Sequence, residues 1–320
     1  MKTTCSLGIV IVTCFALGCK SDSQREEQLT VDDALPKYAV NNLQLYPIRA
    51  NEEFLRHRKG FGNYLTLHDA VRLQKVKVTE HINESGLSEN DRSSAEVNRL
   101  YIENESTDTV FILQGEVVVG GQQDRMIARD ITLPPHSGKL DLSVFCVEHG
   151  RWTGGESFMV TEQSLPPNAV RSKVIETADQ EEIWDEVKVN LDVHQADAPT
   201  DNIGSLKSNA RYMRKIKDYT DKLDSAFVGH ADVIGIIAVA GGKVIACDLF
   251  ATPALFGKHY TNLLQSYAAQ AIDLDDQAPI SKAQVDSYLR DLLKEDRAKG
   301  FIVAKGERVK KERVAHLSGL

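Results

Sequence analysis

The sequence predicts an α+β fold: mainly antiparallel β-sheets packed with about four helices in a single interlocked domain. Three observations carry this. Strand-like segments dominate the first part of the body, helical periodicities dominate after Ser164, and an apolar hairpin returns late, Val233–Ala240 and Lys243–Phe250 around Gly241-Gly242. Strands do not alternate with helices throughout, which argues against a doubly wound parallel sheet. The hairpin is too apolar to stand alone, so other strands or helices must cover it and the two sequence halves should interlock.

The chain begins Met1-Lys2, continues through an apolar run from Leu7 to Leu17, and reaches Gly18-Cys19. A short positive start, an apolar segment too short to span a bilayer and a small-residue end form a secretory leader. A Cys directly after the small residue predicts a bacterial lipoprotein: residues 1–18 are removed and Cys19 takes a diacylglycerol. Residues 19–42 are mostly polar and read as a lipidated tether, with the folded body at 43–320. Membrane contact is then through the lipid on Cys19, and the domain sits outside the cytoplasmic membrane, on the periplasmic face or the cell surface. No second apolar run approaches the ~20 residues of a membrane helix.

Within the body, Thr66-Leu67-His68-Asp69 has N-capping spacing and should open a short helix to about Leu73. Strands are expected at 76–82, 97–103 and 109–119, the last two joined as a hairpin through the polar turn 103–108. Residues 84–96 should be a surface loop. After the turn Pro134–Gly138, the alternation of Leu140, Leu142, Val144 and Cys146 with Asp141, Ser143, Phe145 and Val147 marks a half-buried strand with Cys146 on its inner face. Ile183, Trp184, Val187 and Leu191 share one helical face, as do Tyr212, Ile216, Tyr219, Leu223 and Phe227. Residues 192–208 read as a loop. Two more helices are expected at about 258–272 and 281–297, and segments 301–303 and 308–317 as a closing hairpin.

Composition narrows the function. The charged fraction is 26%, the hydrophobic fraction 42% and the formal net charge −8. These suit a globular domain, and an acidic body makes nucleic acid an unsuitable partner. Of five cysteines, Cys5 and Cys14 leave with the leader and Cys19 is the lipid site. Cys146 and Cys247 lie in apolar strand-like runs and read as two separate core thiols, although an export compartment also permits a disulfide. The nine histidines are scattered without metal-ligand spacing, and there is no phosphate-binding glycine loop, dinucleotide fingerprint or nucleophile elbow. No metal and no cofactor are expected.

Two segments could carry chemistry: Leu113–Arg125, which ends Gly120-Gly121-Gln122-Gln123-Asp124-Arg125, and Phe145–Trp152, which ends Glu148-His149-Gly150-Arg151-Trp152. Each begins as an apolar strand and ends in glycine plus polar side chains. If the strand ends adjoin, Gly120, Gly121, Gln123, Arg125, Arg151 and Trp152 make a polar ligand-binding rim. Its arginine forks suit phosphate or carboxylate, and Trp152 offers a stacking face. Glu148 is the candidate acid or base, and a structural ion pair of Glu148 with Arg125 or Arg151 is the competing expectation.

These residues resemble a known family. The patterns G-G-x-Q-x-R and C-V-E-x-G-R-W, with Val233-Ile234-Gly235-Ile236, Asp248-Leu249-Phe250 and Leu263–Ala268 downstream, are similar to the ARG-and-rhodanese-phosphatase-superfamily-associated protein domain over nearly the whole body. The family pattern has Lys and Asn where this chain has Gln122 and Asp124, which makes the loop more acidic here. The resemblance implies a fold and a surface, and its genomic company implies a link to ADP-ribose chemistry. The resemblance supplies no activity. The polar rim and the lack of a nucleophile–base or metal signature point to a membrane-anchored module for a small anionic ligand or a protein partner; the alternatives are an enzyme acting on a small phosphorylated, nucleotide-like metabolite, with Glu148 as acid or base, and a purely structural lipoprotein.

Overall fold

The computed structural model describes residues 28–82, 95–275, 278, 280–295 and 315–319. The leader, Cys19, most of the 84–96 loop and residues 301–314 of the tail lie outside the described residues.

β1 (Leu29–Val31) and β2 (Ala39–Val40) both pair antiparallel with β3 (Leu43–Ala50), Leu29 opposite Ala50 and Ala39 opposite Gln44. Residues 28–42 are therefore folded, which corrects the tether boundary. The segment follows β3 back along its length, with Leu29, Ala34, Tyr38 and Val40 buried. α1 (Glu52–His57) follows. β4 (Leu65–Thr66) leads straight into α2 (Leu67–Arg72), where Thr66 Oγ1 accepts from the Asp69 N–H at 3.1 Å, as the spacing predicts.

β5 (Val76–Ile82), β6 (Ala95–Asn104), β7 (Val110–Ile112), β8 (Val117–Gly120), β9 (Arg125–Ile127), β10 (Ile131–Leu133), β11 (Gly138–Cys146) and β12 (Phe158–Val160) form two sheets. β7 pairs antiparallel with β10 and parallel with β4. The other six run in the order β12-β8-β9-β11-β6-β5. Thr79 of β5 then bridges Ser157 beside β12, and the Glu80 N–H donates to the Glu156 carbonyl at 2.9 Å. The sheet thereby closes on itself as a small barrel. Val76, Val78, Leu100, Ile102, Val118, Ile127, Leu142, Val144 and Phe158 fill it, and Leu67 and Ala70 of α2 pack at one end.

Two strand expectations change. The segment 109–119 is two strands in different sheets, broken at Gly115, whose φ of 90° suits glycine and whose added Cβ would lie 2.6 Å from Arg171 Cγ. The expected hairpin between 97–103 and 109–119 does not form. Ten-residue β6 pairs instead with nine-residue β11 and seven-residue β5, because three-residue β7 is too short to satisfy it.

The second half supplies α3 (Asn168–Glu176), α4 (Gln180–Val193), a 3-10 turn (Ile203–Ser208), α5 (Ala210–Leu223), the hairpin β13 (Val233–Ala240) and β14 (Lys243–Phe250), α6 (Pro253–Ala271), α7 (Lys282–Lys294) and β15 (His316–Gly319). Short helices raise the number above the expected four, since six to nine residues are too few to display a periodicity.

The main sheet runs β1-β3-β13-β14-β15, with β2 also on β3. Every residue of β13 is buried, and Tyr46 lies opposite Ile237, so the two halves interlock. One face packs Leu43, Leu45, Ile236 and Ala238 with Leu263, Leu264 and Tyr267 of α6. The other packs Ile48, Ile234 and Leu249 with Phe54 of α1 and Val285, Leu289 and Leu292 of α7. Cys146 and Cys247 are two separate buried thiols.

Candidate functional site

The end of the barrel opposite α2 carries the motif residues. Leaving β8, Gly120 and Gly121 turn at φ 130° and 50°, and a side chain on Gly121 would collide with the Phe158 ring and Glu80 Oε1. The Gly120 N–H donates to Asp124 Oδ1 at 2.9 Å and the Gly121 N–H to the Ser157 carbonyl at 3.1 Å, so both amides are already engaged.

Arg151 crosses this turn. Its Nε donates to Glu148 Oε1 and Oε2 at 2.9 and 3.0 Å. Its Nη1 donates to the Gly121 and Thr153 carbonyls, and its Nη2 to Gly120 O, Asp124 Oδ1 and Glu148 Oε2. Glu148 also accepts from the Asp124 N–H at 3.0 Å and Thr200 Oγ1 at 2.7 Å, and Asn202 Nδ2 donates to Asp124 Oδ2 at 2.8 Å. Burial pushes the Glu148 carboxyl up, but Arg151, Thr200 and the Asp124 amide outweigh it and hold it below the usual range. Burial raises Asp124 despite its hydrogen bonds from Asn202 and Gly120. The Glu148 carboxylate is thus an occupied anchor.

Arg125 has a different environment. The chain leaves β11 just after Cys146, so Glu148 swings toward the loop, whereas Arg125 pairs with Cys146 in register and faces the barrel interior. Of the two arginines expected as partners of Glu148, Arg151 forms the pair and Arg125 does not: Arg125 Nη1 donates to Gln123 Oε1 at 3.2 Å. The Cys146 thiol donates to the same oxygen at 3.1 Å, and burial pushes that thiol up to about 11, which keeps it protonated. Gly120, Gly121, Gln123, Arg125, Glu148 and Arg151 do come together, but they turn inward. Only Trp152, 51% exposed, meets solvent broadly. An open anion clamp of Arg125 and Arg151 is not formed, because the donors of Arg151 are spent on the loop.

A second polar cluster lies between barrel and main sheet, and the sequence reading does not find it. Arg171 of α3 holds Asp248 of β14 bidentately, Nη1–Oδ2 2.9 Å and Nη2–Oδ1 2.5 Å. The Tyr267 hydroxyl donates to Asp248 Oδ2, and His316 bridges Asp248 Oδ1 and Asp130 Oδ2 at 2.9 and 2.7 Å. Burial lowers the His316 pKa, but Asp130 and Asp248 outweigh it and raise it to about 9. Burial works against the Asp248 carboxylate too, yet Arg171 and His316 hold it far below the usual range. Glu116, fully enclosed, accepts from the Leu113 N–H at 2.9 Å and Ser164 Oγ at 3.2 Å, and burial lifts it to about 7. No local motif announces this cluster, since its members come from five separate places in the chain.

Beside the motif loop, on the outer face of β8, lies a cavity of about 50 Å³. Val117, Val119, Leu165, Ile203, Met213 and Ile216 make it mainly apolar, and Asp124, Ser164 and Lys207 add polar atoms. Lys207 Nζ donates to Thr161 Oγ1 at 3.3 Å and to the Gln163 carbonyl. Among the described residues, no group of three or more His, Cys, Asp or Glu side chains is arranged to hold a metal ion.

The architecture is that of an α+β domain in which a small antiparallel barrel is inserted into a helix-flanked antiparallel sheet. The family model of the ARG and Rhodanese-Phosphatase-superfamily-associated Protein domain, ARPP-1, matches residues 33–320. The chain belongs to this family. No curated protein and no solved structure matches the chain.

Proposed function

We propose that the chain is an envelope lipoprotein, anchored through Cys19, whose domain is a binding module for a small anionic ligand with an aliphatic end. The observation that carries the reading is the contrast between the two surroundings of the motif loop. The groups able to do acid–base or nucleophilic work there, Glu148 and Cys146, are engaged internally and shielded. The concavity beside them is apolar, with one cation, Lys207, in its lining. Ligand sites combine an apolar wall with few polar groups in this way. The volume suits a group of about three to four carbons, a fraction of what an aromatic ring requires. The leader features of residues 1–19 support the anchor.

The test is thermal melting and calorimetry against a panel of aliphatic carboxylates and alcohols of three to six carbons. Wild type should show saturable stabilisation by carboxylates over alcohols. Ala269→Leu, which fills the cavity from α6, should abolish it, and Lys207→Met should erase the preference for carboxylates. A wild type indifferent to the whole panel would remove the reading. The enzymatic alternative, with Glu148 as acid or base, has the weaker support, because both of its oxygens are occupied.

A further inference from the structure

The barrel interior contains a second polar site, independent of the apolar cavity, which lies on the other face of β8. Arg125 is wholly buried. Its Nη1 is fixed by Gln123, while Nε and Nη2 have no hydrogen-bond partner among the described residues. The choice of atoms matters. Nε–H and one N–H of Nη2 lie on the same edge of the planar guanidinium and point in parallel, which is the fork that matches two oxygens of one oxyanion. Arg125 thus has one edge anchored and its bidentate edge unoccupied.

Glu80 complements it. It is 4% exposed and occupies the next inward position of β5 after Val76 and Val78. Its Oε1 accepts from the Gln122 N–H at 2.6 Å, while Oε2 has no partner among the described residues. Both side chains enter the lumen at the end closed by the Gly120–Gly121 turn, where a Cβ on Gly121 would strike Glu80. Both also act electrostatically on the Cys146 thiol from opposite signs. A buried guanidinium edge and a buried carboxylate oxygen left without partners are each strongly disfavoured.

We propose that this end of the lumen binds a phosphate group that carries a proton, two of its oxygens on the Arg125 fork and its P–O–H donating to Glu80 Oε2. The carboxylate makes the site selective. A fully deprotonated oxyanion such as sulfate offers Glu80 only repulsion, whereas monoprotonated phosphate offers a donor. The Arg151 clasp on the Gly120 and Gly121 carbonyls holds the turn over this end, so entry requires that the turn move.

The experiment uses the full lipidated chain in detergent at pH 6, where phosphate and about half of a phosphate monoester carry a proton. Calorimetry compares inorganic phosphate with sulfate at equal ionic strength. Wild type should bind phosphate saturably and at least tenfold more tightly than sulfate. Glu80→Gln should bring the two anions within about twofold, because an amide can donate to sulfate. Arg125→Lys keeps the charge but loses the fork, and should weaken phosphate at least tenfold. Absence of saturable phosphate binding to wild type overturns the proposal, as does a phosphate-to-sulfate ratio unchanged by Glu80→Gln. Should Arg125→Lys fail to fold, the wild-type ratio and the Glu80→Gln result decide alone. Glycerol 3-phosphate binding as tightly as phosphate assigns the monoester as the ligand class, and its exclusion assigns free phosphate.

Discussion

Arg151 Nη2 lies 2.7 Å from Glu148 Oε2 and 3.1 Å from Asp124 Oδ1, so one guanidinium joins carboxylates from two separate loops. Both carboxylates are almost wholly buried, while the Arg151 side chain keeps 26% of its surface in solvent. The cation is the reachable member of the set, and its removal strands two anions rather than one.

Arg151→Ala should therefore destabilise the domain by about 3 kcal/mol, the lower part of the range for breaking a buried pair, since solvent partly screens the site. Arg151→Lys should recover only part of this, because an ammonium cannot span Glu148, Asp124 and two carbonyls at once. Urea denaturation of the two variants measures both effects.

Asp248→Asn should cost more, about 3–5 kcal/mol, because it leaves Arg171 and protonated His316 together in the core with their shared counter-charge removed. The substitution preserves volume, so a small loss would show that the network contributes little. Equilibrium unfolding decides it.

Stability should fall as pH rises. His316 has a folded pKa of about 9, above its ordinary value of 6.5. The folded state holds this proton more tightly, so the contribution is complete below pH 6.5 and is lost as pH passes through 9. Glu116, lifted to about 7 from 4.5, acts in the same direction: its contribution is complete below 4.5 and gone above 7. From pH 6.5 to 9.5 the His316 shift alone corresponds to about 3 kcal/mol. His316→Gln should flatten this slope, as read from denaturation midpoints across the pH series.

Gly121→Ala should cost at least about 2 kcal/mol, combining a left-handed backbone with a Cβ driven into the Phe158 ring and Glu80. Gly155, around whose Cβ position nothing lies within 4 Å, provides the contrast: Gly155→Ala should be near neutral. Comparing the two melting temperatures isolates the lumen end of the barrel from general loop effects.

Cys19→Ala should move the protein from the detergent phase to the aqueous phase on phase partition. Mass analysis of the wild-type N-terminal peptide should show a diacylglyceryl group. A variant that remains in the detergent phase would show that something other than the lipid holds it there.

The parts of this molecule that were readable in sequence are those with a period. The 233–250 hairpin, the faces of α4 and α5, and the inward run Leu142, Val144, Cys146 repeat often enough to show. So does the Thr66 cap, whose spacing is local. What escaped has no period. β1 and β2 are three and two residues long, too short for alternation to appear. The break at Gly115 lies between two apolar runs, 110–113 and 117–119, and its positive φ and the Arg171 side chain packed beside it explain the glycine. The two glycine-ended segments do adjoin in space, but which arginine takes Glu148 depends on where β11 ends. Arg171 and His316 carry no local signal, and Asp248 shows only as a polar residue in the apolar hairpin without its partners, because a core ion network is assembled by topology rather than by spacing.

The position of His316 has a consequence for how the molecule is completed. It joins Asp130, 186 residues earlier, to Asp248, 68 residues earlier. A chain emerging from its N-terminus can close the barrel from contiguous sequence, but β3 waits for β13, and Asp130 and Asp248 face each other without their bridging cation until residue 316 arrives. Late-arriving long-range contacts of this kind slow folding. The barrel is thus ready before the sheet that carries it, and the imidazole that seats last is the one that cancels the excess negative charge left inside.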